Sequence, residues 1–113
     1  MFDRLSKYRI VWLQVSFDLP VDTKKHRKQY ADFRKRLLKD GFTLMQFSVY
    51  LRYCGSHETA DVHERRVSAW VPPDGHVWVL RITDNQYNNS KHFWGRDRDP
   101  KKNMGPGAQL ELF

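Results

Sequence analysis

Hydrophobic spacing changes four times along the first eighty residues, and each change marks a different element. "YRIVWLQVSF", Tyr8 to Phe17, is almost continuously apolar and rich in β-branched and aromatic residues, the pattern of a buried central strand. It runs straight into Asp18. "DTKKHRKQYADFRKRLLKDG" then shifts to a helical period. His26, Tyr30, Phe33 and Leu37 form one core-facing stripe, Asp22 or Thr23 caps the start, and Gly41 takes the left-handed conformation at the end. "FTLMQFSVYLRYC", Phe42 to Cys54, alternates: Met45, Phe47, Val49, Leu51 and Tyr53 point one way, and Gln46, Ser48, Tyr50 and Arg52 the other. Thirteen residues is long for one strand, so a bend or bulge near Phe47 to Val49 divides it.

"SHETADVHERRVSAWV" returns to the helical period, with Ser56 as cap and Ala60, His63, Val67 and Trp70 as the inner stripe. "PPDG" ends that helix, and "HVWVLRIT", His76 to Thr83, is a further apolar strand. A shorter strand is expected around "KHFWG", after "DNQYNNS". "RDRDPKKNMGPG" reads as a flexible tether over 96–107, and "AQLELF", 108–113, as a docked terminal strand. Residues 1–95 therefore form one α+β domain in the order β-α-β-β-α-β, a ferredoxin-like sandwich with an extra C-terminal strand.

Composition adds a partner class. The chain is 40% hydrophobic and 29% charged, enough for a folded core, and 20 Lys and Arg against 13 Asp and Glu leave it at +7. That balance favours a polyanion, with nucleic acid ahead of an acidic membrane surface. Much of the excess sits on the first helix, where Lys24, Lys25, Arg27, Lys28, Arg34, Lys35, Arg36 and Lys39 face only Asp32 and Asp40. Lys24, Lys25, Arg27, Lys28, Arg34 and Lys35 are the candidate nucleic-acid contacts, positioned to hold phosphates without reading bases. The single cysteine, Cys54, excludes an intrachain disulfide and a multi-cysteine zinc site. No signal-peptide core and no apolar run of ~18 residues is present, so no membrane association and a cytoplasmic location are expected.

Asp18 is the one candidate for catalysis and for metal binding. A hard carboxylate at a strand end suits magnesium, yet one carboxylate is a sparse site unless a two-fold axis brings a second copy beside it. An Asx-turn or cap entering the helix explains the same residue without chemistry. The five histidines make no H-E-x-x-H, no glycine loop cradles phosphate, and "SVYLRYC" lacks the basic-glycine-aromatic run of an RNA-recognition module.

"VSFDLP", the basic "KKHRKQYADFRKRLLKDGF", "QFSVYLR" and "GHVWVLRITDNQY", in this order and spacing, resemble the small CRISPR-associated proteins of the Cas2 family, the adaptor of the spacer-acquisition complex. "FDLP", "LLKDGFTLMQFSVYLR" and "QLELF" are most similar to members from type II systems. The resemblance implies a ferredoxin-like homodimer whose C-terminal strand crosses to the partner subunit, with Asp18 near the two-fold. It implies a scaffold that bridges dimers of the CRISPR integrase (Cas1 family) and holds a double-stranded DNA prespacer in antiviral defence, with the type II effector nuclease as a further partner. The alternative it implies is a magnesium-dependent endonuclease, cleaving RNA or DNA with a metal shared between two Asp18 carboxylates. A small basic toxin-like or regulatory domain of the same fold is the third reading.

Overall fold

The computed structural model describes residues 11–99. The start of the first strand at Tyr8, most of the 96–107 tether and the 108–113 strand lie outside the described residues.

Strand β1, Val11–Asp18, occupies an inner position of a four-stranded antiparallel sheet. It pairs with β3, Val49–Tyr53, on one side and with β4, His76–Thr83, on the other. Strand β2, Thr43–Gln46, lies outside β3, giving the order β2-β3-β1-β4. Helices α1, Lys24–Lys39, and α2, His57–Trp70, cover one face. This is the expected β-α-β-β-α-β arrangement.

The core is built by alternation. Val11, Leu13, Val15 and Phe17 point from β1 into the helices and are buried with Phe33 and Leu37 of α1 and Ala60 and Val67 of α2. The rings of Phe17 and Phe33 meet edge to face at 5.0 Å. Thr23 caps α1 by accepting from the His26 N–H at 3.0 Å, and Ser56 caps α2 by accepting from the Thr59 N–H at 3.1 Å. Gly41 ends α1 at φ 96°, where an added Cβ would meet the Arg52 guanidinium at 3.0 Å. The long alternating segment divides as expected: Phe47 and Ser48 form a turn between β2 and β3, with Ser48 at φ 61°, and the β2–β3 register shifts between Leu44 and Gln46. Within β3, Tyr50 is the residue that enters the core, paired across the sheet with Leu44.

The even residues of β1 lie on the face away from the helices, beside Tyr53, Trp78 and Leu80, which are 50%, 62% and 44% exposed. Here one expectation is corrected. No strand forms at "KHFWG": residues 91–95 have no regular structure, and Phe93 is 88% exposed. Thr83 and Gln86 instead make a reciprocal capping box that turns the chain into a short helix, α3, Asp84–Asn88. Tyr87 of α3 folds back to stack on Trp12 at 4.0 Å, and a 3-10 turn follows at Arg96–Arg98.

Candidate nucleic-acid interface

The packing of α1 leaves its cations facing outwards. Phe33 and Leu37 take the buried stripe, so Lys24, Lys25, Arg27, Lys28, Arg34, Lys35, Arg36 and Lys39 all stand on the exposed faces. None of the eight forms an ion pair with a described carboxylate. Arg27 donates to the Val21 carbonyl at 3.2 Å, and Arg34 Nε donates to the Tyr50 hydroxyl at 2.9 Å. Neither bond neutralises its guanidinium. The first turn carries Lys24 and Lys25 and no acid, against the preference of the helix dipole for negative charge there. Positive side chains at the positive end of a helix concentrate attraction for an anion.

One of the two acids expected to offset this charge is turned inwards. Asp40 closes α1, and its carboxylate, 9% exposed, accepts from His63 Nδ1 at 2.5 Å and from Arg66 Nη1 at 2.7 Å. Its backbone carbonyl accepts from Arg52 Nε at 2.7 Å. His63 is thus the core-edge residue its helical stripe suggested, with a polar partner that the stripe alone did not reveal. Asp32 is left as the acid on the outer surface of α1.

Asp18 ends β1, exposed, on the face away from the helices and directly across the ladder from His76. The turn after β1 and the turn before β4 are joined beside it by His26. Its Nδ1 meets Asp22 Oδ1 at 2.6 Å, and its Nε2 meets Asp74 Oδ2 at 3.0 Å. Two carboxylates on opposite ring nitrogens call for the doubly protonated ring, because a carboxylate only accepts. The bond to Asp22, and then that to Asp74, raises the His26 pKa above its ordinary value, while the His26 bond holds Asp22 below the usual carboxylate range. The i,i+4 spacing of Asp22 and His26 was visible in the sequence; Asp74, forty-eight residues away, was not.

For a divalent metal the fit within one chain is incomplete. Among the described residues no three His, Cys, Asp or Glu side chains are grouped to hold an ion, so the described residues offer an ion at Asp18 a single carboxylate, to be completed by water, a phosphate or a second copy. Two other features are structural. Arg81 spans from β4 to Asp61 and Glu64 of α2, which lowers the Asp61 pKa through that hydrogen bond. Cys54 is buried after β3, and burial raises its thiol pKa. No described helix is long and apolar enough to cross a membrane.

Comparison with known proteins agrees with this architecture. The model of the CRISPR associated protein Cas2 family matches residues 11–90. The CRISPR-associated endoribonuclease Cas2 of Flavobacterium psychrophilum is 45% identical over 112 residues, spanning 99% of this chain and 96% of the relative. That of Parvibaculum lavamentivorans is 52% identical over 103 residues, spanning 91% of this chain and all of the relative (100%). The crystal structure of Streptococcus pyogenes Cas2 at pH 6.5 shares the fold, with a TM-score of 0.57 at 17% identity over 74% of this chain and 99% of that one. On the family match and on relatives this similar over nearly the whole length, the chain belongs to the CRISPR associated protein Cas2 family.

Proposed function

We propose that this chain is a CRISPR adaptation subunit: a homodimer that holds double-stranded prespacer DNA and bridges dimers of the CRISPR integrase. The observation that carries the reading is the outer surface of α1, with eight exposed cations unpaired to any described carboxylate and the Asp40 carboxylate turned inwards to His63 and Arg66. Such a surface positions a phosphate backbone and is indifferent to sequence, as a subunit that accepts many different prespacers requires. Under this reading the variant with Lys24, Lys25, Arg27 and Lys28 changed to alanine binds duplex more weakly, and its log-log salt slope is shallower by as much as about 3.6. An unchanged affinity and slope in a fluorescence titration across salt concentrations overturns the proposal.

A second reading, phosphodiester cleavage, is favoured by two observations: the relatives are named endoribonucleases, and Asp18 is exposed at a strand end. In a dimer with β1 near the two-fold, each chain contributes one Asp18 to a shared magnesium site. Magnesium bound there would supply a polarised phosphate and an activated water. The chain's own part is to fix Asp18 at the end of an inner strand, paired there with β4, and to hold the substrate backbone on α1. Comparing wild type with Asp18→Ala separates the readings. Full prespacer integration by the mutant with the cognate integrase assigns a scaffold role. Loss of integration, or of magnesium-dependent RNA or DNA cleavage, in a mutant that still dimerises and binds duplex assigns Asp18 a metal-organising role.

A further inference from the structure

The tip of the β2–β3 turn carries an aromatic ring that the fold holds outwards. Phe47 is 85% exposed, although it follows a strand and precedes the core residue Tyr50. It is not a loose side chain. Its ring neighbours that of Tyr30, with centroids 6.4 Å apart and planes at 27°, and Tyr30 in turn packs edge-on against Phe17 at 5.7 Å. The turn beneath it is pinned, because Phe17 N–H donates to the Ser48 carbonyl at 3.1 Å. The Ser48 backbone at φ 61° is what swings the chain round at this point.

The surroundings of this ring are cationic. Tyr30 lies on α1 with Arg27 three residues before it and Arg34 four residues after it, spacings that place both on its own side of the helix. Arg34 is held to the same hairpin by its bond to the Tyr50 hydroxyl. The result is a solvent-exposed aromatic ring with a second ring 6.4 Å away, next to a helix surface that carries Arg27 and Arg34. Single-stranded nucleic acids are bound by this combination: cations carry the phosphates and an open ring receives a base, whatever its identity. Within a duplex, base faces are already stacked on their neighbours and closed to that ring. Phe93, similarly exposed, lies in a segment without regular structure.

We infer that Phe47 is a stacking platform for an unpaired nucleobase, at a duplex end or in a single strand, whose phosphates run along α1. The inference rests on α1 being the phosphate-binding surface and adds to it a preference for partly unpaired substrates. The test uses the full chain and two DNA probes, a blunt duplex and the same duplex with a single-stranded overhang carrying 2-aminopurine. Phe47→Ala lowers affinity for the overhang probe by about 5- to 150-fold, the range for loss of one stacked base, and abolishes the fluorescence change on binding. Blunt-duplex affinity and both salt slopes stay as in wild type, because no cation is removed. Phe47→Trp retains overhang binding, and Phe47→Leu behaves like alanine.

Several outcomes overturn the inference. Full overhang affinity in Phe47→Leu makes the contact merely apolar. An equal loss on both probes removes the specificity for unpaired bases. A change of oligomeric state by light scattering, accompanying the loss, makes Phe47 a protein contact. Unchanged overhang binding in Phe47→Ala removes the stacking site and leaves the duplex reading of α1 standing, whereas an unaffected four-alanine α1 variant removes that reading and this one with it.

Discussion

The end of α1 offers a sharp test of how the basic helix is anchored. Asp40 and His63 are each under 10% exposed on their side chains and share a bond of 2.5 Å, whereas Arg66, the second partner of Asp40, is 52% exposed. The two bonds therefore have very different worth. Losing a buried charge-assisted hydrogen bond costs ~2–3 kcal/mol, because the His63 nitrogen is left without a partner. The Arg66 leg, facing water, is worth only ~0.5 kcal/mol. Removing an acid from a helix C-terminus returns a further ~0.5 kcal/mol, since the dipole disfavours negative charge there. Asp40→Ala thus destabilises by a net ~2–3 kcal/mol, which for a domain of this size lowers Tm by about 8–24 °C. Asp40→Asn costs less, because its amide can donate to His63 and accept from Arg66. Arg66→Ala costs under ~1 kcal/mol. Urea denaturation followed by circular dichroism measures all three, provided the m-value stays constant. The reasoning fails if Asp40→Ala lies within ~0.5 kcal/mol of wild type, or if Arg66→Ala costs as much as Asp40→Ala.

Further outcomes follow from other contacts. The His26 pKa is raised from its ordinary 6.5, so the stabilisation from its clasp is complete below that value and fades as pH rises through the raised one. Asp22, lowered from 3.8, loses its share only as pH falls through its depressed value, so the Tm difference between wild type and His26→Gln is greatest between those limits and closes in alkali. A difference that is flat with pH in thermal melts contradicts this. Phe33→Ala removes a 1% exposed ring from the core and costs ~3–5 kcal/mol in chemical denaturation; a loss under ~1 kcal/mol would show that the site collapses freely. Deleting "AQLELF" weakens dimerisation in light scattering if that segment docks on the partner subunit, and an unchanged dimer removes the docking proposal.

Local periodicity made most of the elements legible. The near-continuous apolar run before Asp18, the Tyr30–Leu37 part of the first stripe, the Ala60–Trp70 stripe, and the caps Thr23 and Ser56 all depend on spacings of a few residues, and the structure reproduces each. The overlong alternating segment broke at Phe47 and Ser48 because a strand of thirteen residues had no partner of equal length. No strand forms at "KHFWG": the capping box of Thr83 and Gln86 starts the short helix α3 within "DNQYNNS", and residues 91–95 beyond it have no regular structure.

The order of elements and the excess of positive charge on α1 follow from residue type and short-range spacing. Tertiary structure alone decided which charges remain available. Asp40 was counted against the cations of its own helix, but packing of α2 twenty-three residues later draws it inwards to His63. His26 was placed in the core stripe, but Asp74 arrives across the fold to hold it at the rim. Phe47 alternates in phase with Val49 and Leu51, yet the turn at Ser48 rotates it onto Tyr30 and into solvent. Each of these depends on groups brought together by chain closure, and no one-dimensional period encodes that distance.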